Sequence, residues 1–413
     1  MSKPLTAYPI HVLIAAVLLL ASCNSQVDHK DQAEPLRLLA KFHLGEGVNL
    51  PFHIELYKDS AVIINADERV RTVNLSRQGD SLFMEMPVHR TEIRAIQVED
   101  QVTGYFYDYS RSAGYKIPIS AKTGDFPRFP SGGKEEEVAA LDWKVTFPGN
   151  EPDDKPGYAI GKIQADQGKL KATMLTPTGD YRFLEGRATE DSVFLSCFDG
   201  AHAFLFKALR LEDGSLTGTF WSGTHWQEPW TAHRDSSFVL PDPNSLTYVA
   251  DGEVGNDVLP NFCFNTVKGQ EYCLDEANGK VRIIQILGSW CPNCRDETVF
   301  YEQVYKDYAD RGLEIISLAF ERGDTEEQWR KGAGKMVKDL QIEWPVLLAG
   351  KASKSYASSL FPNLNSVSSF PTSIFVDRKG KIHKIHTGFN GPATGDEYTK
   401  FKAEFHATIN ELL

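Results

Sequence analysis

Trp290-Cys291-Pro292-Asn293-Cys294 sets two thiols a helical turn apart, directly after the apolar run Val281-Arg282-Ile283-Ile284-Gln285-Ile286-Leu287 and the turn Gly288-Ser289. The run reads as a short buried strand. From Cys294 onward, apolar residues at Val299, Phe300, Val304 and Tyr308 read as a helix. Strand, turn and helix together put Cys291 at the helix N-terminus, where unpaired N–H groups and the positive end of the dipole favour the thiolate, the nucleophilic form. Cys291 is then the attacking thiol. Cys294, one turn further in, attacks the mixed disulfide that Cys291 forms with a partner and releases the partner reduced. Such a pair is also half of a zinc site, but zinc needs two further ligands. The candidate pair, His383 and His386, points to opposite faces of an alternating strand, so no metal is expected.

Around this motif the chain resembles the membrane-linked thioredoxin-like proteins of the TlpA/ResA type, within the wider redoxin group. The resemblance runs from about Leu259 to the C-terminus. It rests on Pro260-Asn261-Phe262, Gly279-Lys280-Val281, the Trp-Cys-Pro-Asn-Cys run, Gly312-Leu313-Glu314-Ile315-Ile316-Ser317, Trp344-Pro345-Val346-Leu347-Leu348 and Phe370-Pro371-Thr372-Ser373-Ile374-Phe375-Val376-Asp377. It implies an α/β thioredoxin fold with Pro371 in the cis form facing the cysteines, and a substrate groove bordered by Trp290, Phe370 and Thr372. Where thioredoxins resemble one another in carrying a buried aspartate, six residues before the first cysteine, this chain has Gln285, and an amide cannot shuttle a proton. Glu297 matches a glutamate that ResA-type proteins carry. It either tunes the thiols and accepts the proton of Cys294, or is a solvated glutamate favoured by the helix dipole.

Lys3 and the nine-residue apolar run 12–20 are too short for a membrane span and have the length of a secretory signal core. Leu20-Ala21-Ser22-Cys23 resembles a bacterial lipobox, which implies cleavage before Cys23, lipidation of its thiol, and a protein anchored on the periplasmic side of a membrane. The polar run 24–31 reads as a tether. Of the remaining cysteines, Cys263 and Cys273 fall opposite each other when counted outward from Lys268 in a hairpin. They are either a structural disulfide or two small buried hydrophobes. Cys197 alternates with apolar residues and reads as core.

Residues 35–240 show short alternating stretches between Gly and Asp turns and no long helical period, the pattern of an antiparallel β sandwich or barrel. A weak repeat links Asp80-Ser81-Leu82-Phe83 and Val102-Thr103-Gly104-Tyr105-Phe106 to Asp191-Ser192-Val193-Phe194 and Leu216-Thr217-Gly218-Thr219-Phe220. Residues 131–137 read as a surface loop between the halves. Trp221, Trp226 and Trp230 either line a groove or fill the end of a barrel. The chain therefore divides into a signal peptide (1–22), a tether (23–34), the β domain (35–240), a linker (241–258) marked by Pro241-Asp242-Pro243, and the thioredoxin-like domain (259–413).

The net charge of −12 argues against a nucleic-acid partner, and no phosphate loop or dinucleotide fingerprint is visible, so no cofactor is expected. Electrons then come from another thiol protein at the membrane and go to disulfides of exported proteins. Two other functions compete. A peroxiredoxin-like peroxidase needs a hydroxyl residue three before its cysteine, where this chain has Gly288. A ligand-binding lipoprotein would make the redox domain ancillary.

Overall fold

The computed structural model describes residues 34–112, 114–129, 141–151, 154–166, 169–250, 257–274 and 279–413. The expected signal peptide, the expected lipidation site Cys23, nearly all of the expected tether and the expected loop at 131–137 lie outside them.

Alternation builds the β domain. The first strand, Leu36–Gly45, buries Leu38, Ala40 and Phe42 and turns Arg37 and Lys41 outward. Nine such strands between Leu36 and Thr123 form one open antiparallel sheet in which the first strand pairs with both the second, Val48–Leu56, and the ninth, Lys116–Thr123. Nine more, between Leu141 and Arg234, form a second sheet. Counted within each half, every pairing of the first sheet recurs in the second. One is added: the third strand, Lys169–Thr176, also pairs with the fifth, Leu184–Ala188, which closes eight strands into a barrel. The expected antiparallel β domain is thus present, its barrel alternative realised in the second half and accompanied by an open sheet wrapped on it. The contact is made by two barrel strands, Ser192–Phe198 and Ala203–Arg210, buried on both faces along part of their length. Cys197, Phe204 and Phe206 point into the barrel, whereas Phe198, Ala203 and Leu205 join the core of the open sheet with Phe42, Phe52 and Phe106.

The tryptophan run divides by the same alternation. Trp230 fills the barrel core against Phe206, Trp221 packs toward the open sheet, and Trp226 is exposed.

The C-terminal domain is a five-stranded sheet in the order Val346–Lys351, Leu313–Glu321, Val281–Leu287, Thr372–Val376, Ile382–Thr387. The first three are parallel and the last two antiparallel to their neighbours. The central strand is buried along its whole length, so apolar residues occupy both of its faces instead of alternating, with Arg282 and Gln285 as its two polar positions. Helices Pro292–Tyr308, Glu326–Asp339, Lys354–Ser359 and Asp396–Leu412 accompany the sheet. Thr325 caps the second with a complete capping box, its hydroxyl accepting the Gln328 N–H while the Gln328 side chain returns to the Thr325 N–H. One expected apolar position is corrected: Val299 is 43% exposed, because the inward stripe of the first helix runs through Glu297, Phe300, Tyr301, Val304 and Tyr308. The linker is also not loose over its described part. The Thr247 side chain is buried, Tyr248 and Ala250 hydrogen-bond to Asn365 and Asn363, and Val258 bridges to Lys381.

Candidate active site

The active-site helix begins at Pro292, two residues earlier than the periodicity suggests, because proline at the first helical position loses no hydrogen bond there. Cys291 is consequently the N-cap residue, and its Sγ accepts the Cys294 N–H at 3.3 Å. The Cys291 thiol also lies 3.6 Å from the Phe370 carbonyl, toward which its S–H is directed. The Phe370–Pro371 bond is cis, and Phe370 packs edge-on against Trp290, whose indole N–H donates to the Phe320 carbonyl. Cys291 is 8% exposed; Cys294, beneath it, is wholly buried. Burial first, then the hydrogen bond and charge of Cys291, hold the Cys294 thiol well above its ordinary pKa, with Glu297 adding to the effect. Both thiols are free.

Glu297 does not sit in solvent. It is fully buried between the helix and the sheet, where its carboxylate accepts Gln285 Nε2 at 2.9 Å, the Ser373 hydroxyl at 2.9 Å and the Tyr301 hydroxyl at 3.4 Å. Burial outweighs these bonds and pushes its pKa up to about 7. Gln285 replaces an acid as the anchor of this network: its amide also donates to Thr298 and its oxygen accepts the Ser317 hydroxyl at 2.7 Å. The expectation that Thr372 borders the groove is corrected. Its side chain is buried and its hydroxyl turns back to the Ser369 carbonyl at 2.8 Å. Gly288 cannot become the hydroxyl residue that a peroxidase needs, since a Cβ there would lie 2.3 Å from the Trp290 indole nitrogen and 2.8 Å from the Phe320 carbonyl. Away from this site, Cys263 and Cys273 are register partners in an exposed hairpin and are joined by a disulfide.

Residues that the linear sequence does not connect complete the site. The turn at 86–90 of the β domain reaches over the C-terminal domain. Val88 enters that domain's core at φ +64°, a conformation poorly suited to a β-branched residue, and Asp339 holds its N–H at 2.9 Å. His89 Nδ1 faces the Ser289 carbonyl at 3.1 Å, and burial lowers the His89 pKa to about 4, so the ring is neutral. On the other side, Asp180 accepts the Gly391 N–H at 2.6 Å, and Arg182, fully buried, pairs with Glu68 and Asp199 of its own domain and with Asp296 of the active-site helix. Beside the first docking point, with His89 and Arg90 in its lining, lies a cleft of about 210 Å³ with Cys291 in its wall. Glu321 lies at its base, bonded to the Ser289 N–H at 2.8 Å and hydroxyl at 2.7 Å, its pKa pushed up to about 7 by burial.

A thiol at a helix N-cap, a shielded second thiol one turn on and a cis proline opposite constitute the redox centre of a familiar class, and residues 253–400 match the Redoxin family model. This part of the chain is similar to redoxin domains, and is called the redoxin domain below. Its relatives include the thioredoxin-like protein YneN of Bacillus subtilis, 28% identical over 129 residues, which covers 31% of this chain and 69% of YneN. The thiol-disulfide oxidoreductase ResA of Bacillus thuringiensis is 27% identical over 150 residues, covering 36% of this chain and 78% of ResA. Among solved structures, a thiol:disulfide interchange protein of the thioredoxin family from Chlorobium tepidum is 24% identical, with 37% of this chain and 98% of that one covered at a TM-score of 0.28. Cys291 and Cys294 lie in the part of the chain that the family model matches, while the β domain forms the opposite wall of their cleft.

Proposed function

We propose that this chain is a thiol–disulfide oxidoreductase that reduces disulfides of exported proteins from a lipid anchor on Cys23 at the periplasmic side of a bacterial membrane. Cys291 attacks the substrate disulfide, displacing one thiolate and forming a mixed disulfide. That removes the negative charge which had opposed ionisation of Cys294. Cys294 then gives up its proton to the Glu297 network and attacks the Cys291 sulfur, releasing the second thiolate and leaving the Cys291–Cys294 disulfide. A membrane thiol protein restores the dithiol. The single observation carrying this reading is the asymmetry of the pair, with Cys291 at the N-cap in the cleft wall and Cys294 fully buried beside a glutamate of pKa about 7.

Equilibrating the couple against a thiol buffer series tests the direction. Proteins on this fold span about −270 to −120 mV, and a reductase falls toward the low end. A potential near the upper end overturns the reductase assignment. Cys294→Ala, which stalls the mixed disulfide on Cys291, captures the substrates and donors for identification.

A further inference from the structure

The cleft beside Cys291 has a charge at odds with the rest of the molecule. The chain carries a net charge of −12. Yet Arg90 and Arg111 from the β domain and Arg322 from the redoxin domain all line this one cleft. Arg111 is neutralised by Asp108, its Nε 2.9 Å from the carboxylate. Arg90 and Arg322 form no ion pair among the described residues. Arg322 lies 4.5 Å from the Trp290 ring centroid, reaches the Ser110 hydroxyl at 3.4 Å, and is close enough to feel the charge of the Cys291 sulfur. The remaining acid, Glu321, is buried and engaged by the Ser289 N–H and hydroxyl, within electrostatic reach of both Arg322 and Arg90 but in an ion pair with neither. Two guanidinium groups that form no ion pair among the described residues, in a cleft shared with a nucleophilic sulfur, are a fork for an anion, since guanidinium binds carboxylate in planar, charge-assisted pairs.

Size narrows the choice further. Ligand pockets usually run to about 300–1,000 Å³. At about 210 Å³ this one admits roughly an amino-acid-sized group.

Building on the oxidoreductase reading above, we infer that the cleft selects disulfides bearing a carboxylate close to the sulfur that Cys291 attacks, with Arg322 and Arg90 as its receptors. The carboxylate comes either from a small dicarboxylate disulfide or from an acidic residue beside a cysteine in an exported protein. In one turnover the dithiol reduces RSSR to two RSH and becomes the Cys291–Cys294 disulfide, so atoms and electrons balance without a further reagent. The β domain, in this reading, is a specificity element of the active site.

The test is single-turnover reduction by the pre-reduced full chain of three disulfides of similar size: dithiodipropionate with two carboxylates, bis-hydroxyethyl disulfide without charge, and cystamine with two ammonium groups. Each rate is divided by that of free dithiothreitol with the same disulfide. The expected order is anionic, neutral, cationic, with about tenfold between the first two at low salt, shrinking as ionic strength rises. Arg90→Gln and Arg322→Gln each lower the anionic-to-neutral ratio. Disulfide-linked peptides with Glu or Lys beside the cysteine form a second arm. A Glu preference there identifies the protein source, and a preference confined to the small disulfides identifies the small-molecule source. Equal normalised rates for all three disulfides, or a preference unchanged in both variants, overturn the inference and leave the oxidoreductase reading intact. No reaction with any disulfide overturns that reading and the inference with it.

Discussion

At the residue scale, Glu297 concentrates the chemistry. Its carboxyl ionises near 4.5 when exposed and near 7 when buried in the fold. Between those values the folded chain holds a proton that the unfolded chain has released, so stability falls as pH rises through this window, and above about pH 7 the whole cost of a buried charge is borne. Glu297→Gln removes that cost. The variant is expected to be more stable than the parent at pH 8, by up to roughly 3 kcal/mol, and to show no such gain at pH 4, as read from urea midpoints. The same substitution is expected to flatten the pH dependence of thiol alkylation around neutrality; an unchanged profile removes Glu297 from the proton path. The sequence made the cysteine pair and the place of Cys291 at the helix N-terminus legible, because helix N-cap chemistry is local. It left Glu297 between two readings, because burial depends on Tyr301, Ser373 and the sheet behind them. The arginines of the cleft were not legible at all. Arg322 and Ser110 are 212 residues apart, and nothing in either neighbourhood announces the other.

At the scale of elements, strands recur in a way that the sequence shows only faintly. The weak repeat around Gly104 and Gly218 corresponds to the same position in the same three-stranded meander of each half, where Gly104 faces Ala95 and Gly218 faces Ala208 across the ladder. A Cβ at Gly104 would sit 2.1 Å from the Arg94 carbonyl oxygen, and one at Gly218 would sit 1.9 Å from that of Lys207. The glycines are therefore set by close backbone approach. Gly218→Ala is expected to destabilise the chain by about 1–3 kcal/mol or more, since the colliding atom is backbone and cannot swing aside. Gly45→Ala, with nothing within 4 Å of its Cβ, is the control and is expected to stay within about 0.5 kcal/mol. Equal midpoints for the two variants in thermal or urea unfolding refute the close-approach account. The elements of the redoxin domain were largely legible, from the central strand to the capping box at Thr325 and the register that sets Cys263 opposite Cys273, while their bonding stayed open between two readings. The closure of one β half and not the other was not, since a single added strand pairing decides it.

At the scale of the whole molecule, the β domain is docked by buried polar contacts. The Arg182–Asp296 pair and the Val88–Asp339 bond hold it against the redoxin domain at two separate points. Removing one partner of a buried ion pair typically costs about 3–5 kcal/mol. Asp296→Asn combined with Asp339→Asn is expected to loosen the docking. The predicted signature is faster alkylation of Cys291 by a bulky maleimide, severalfold over the parent, with a smaller change for iodoacetamide. Equal acceleration for both reagents, or none, contradicts a docking role. None of this was legible from local patterns, which identified two domains and a boundary but no face by which they meet. The cover also governs the order of events. Among the described residues Cys294 is sealed and Cys291 lines one small cleft, so on the proposed function an electron donor and a disulfide acceptor use the same doorway and cannot occupy it together. The two half-reactions must therefore alternate, giving parallel lines in double-reciprocal kinetics, and an excess of either reactant must slow turnover by occupying the doorway out of turn.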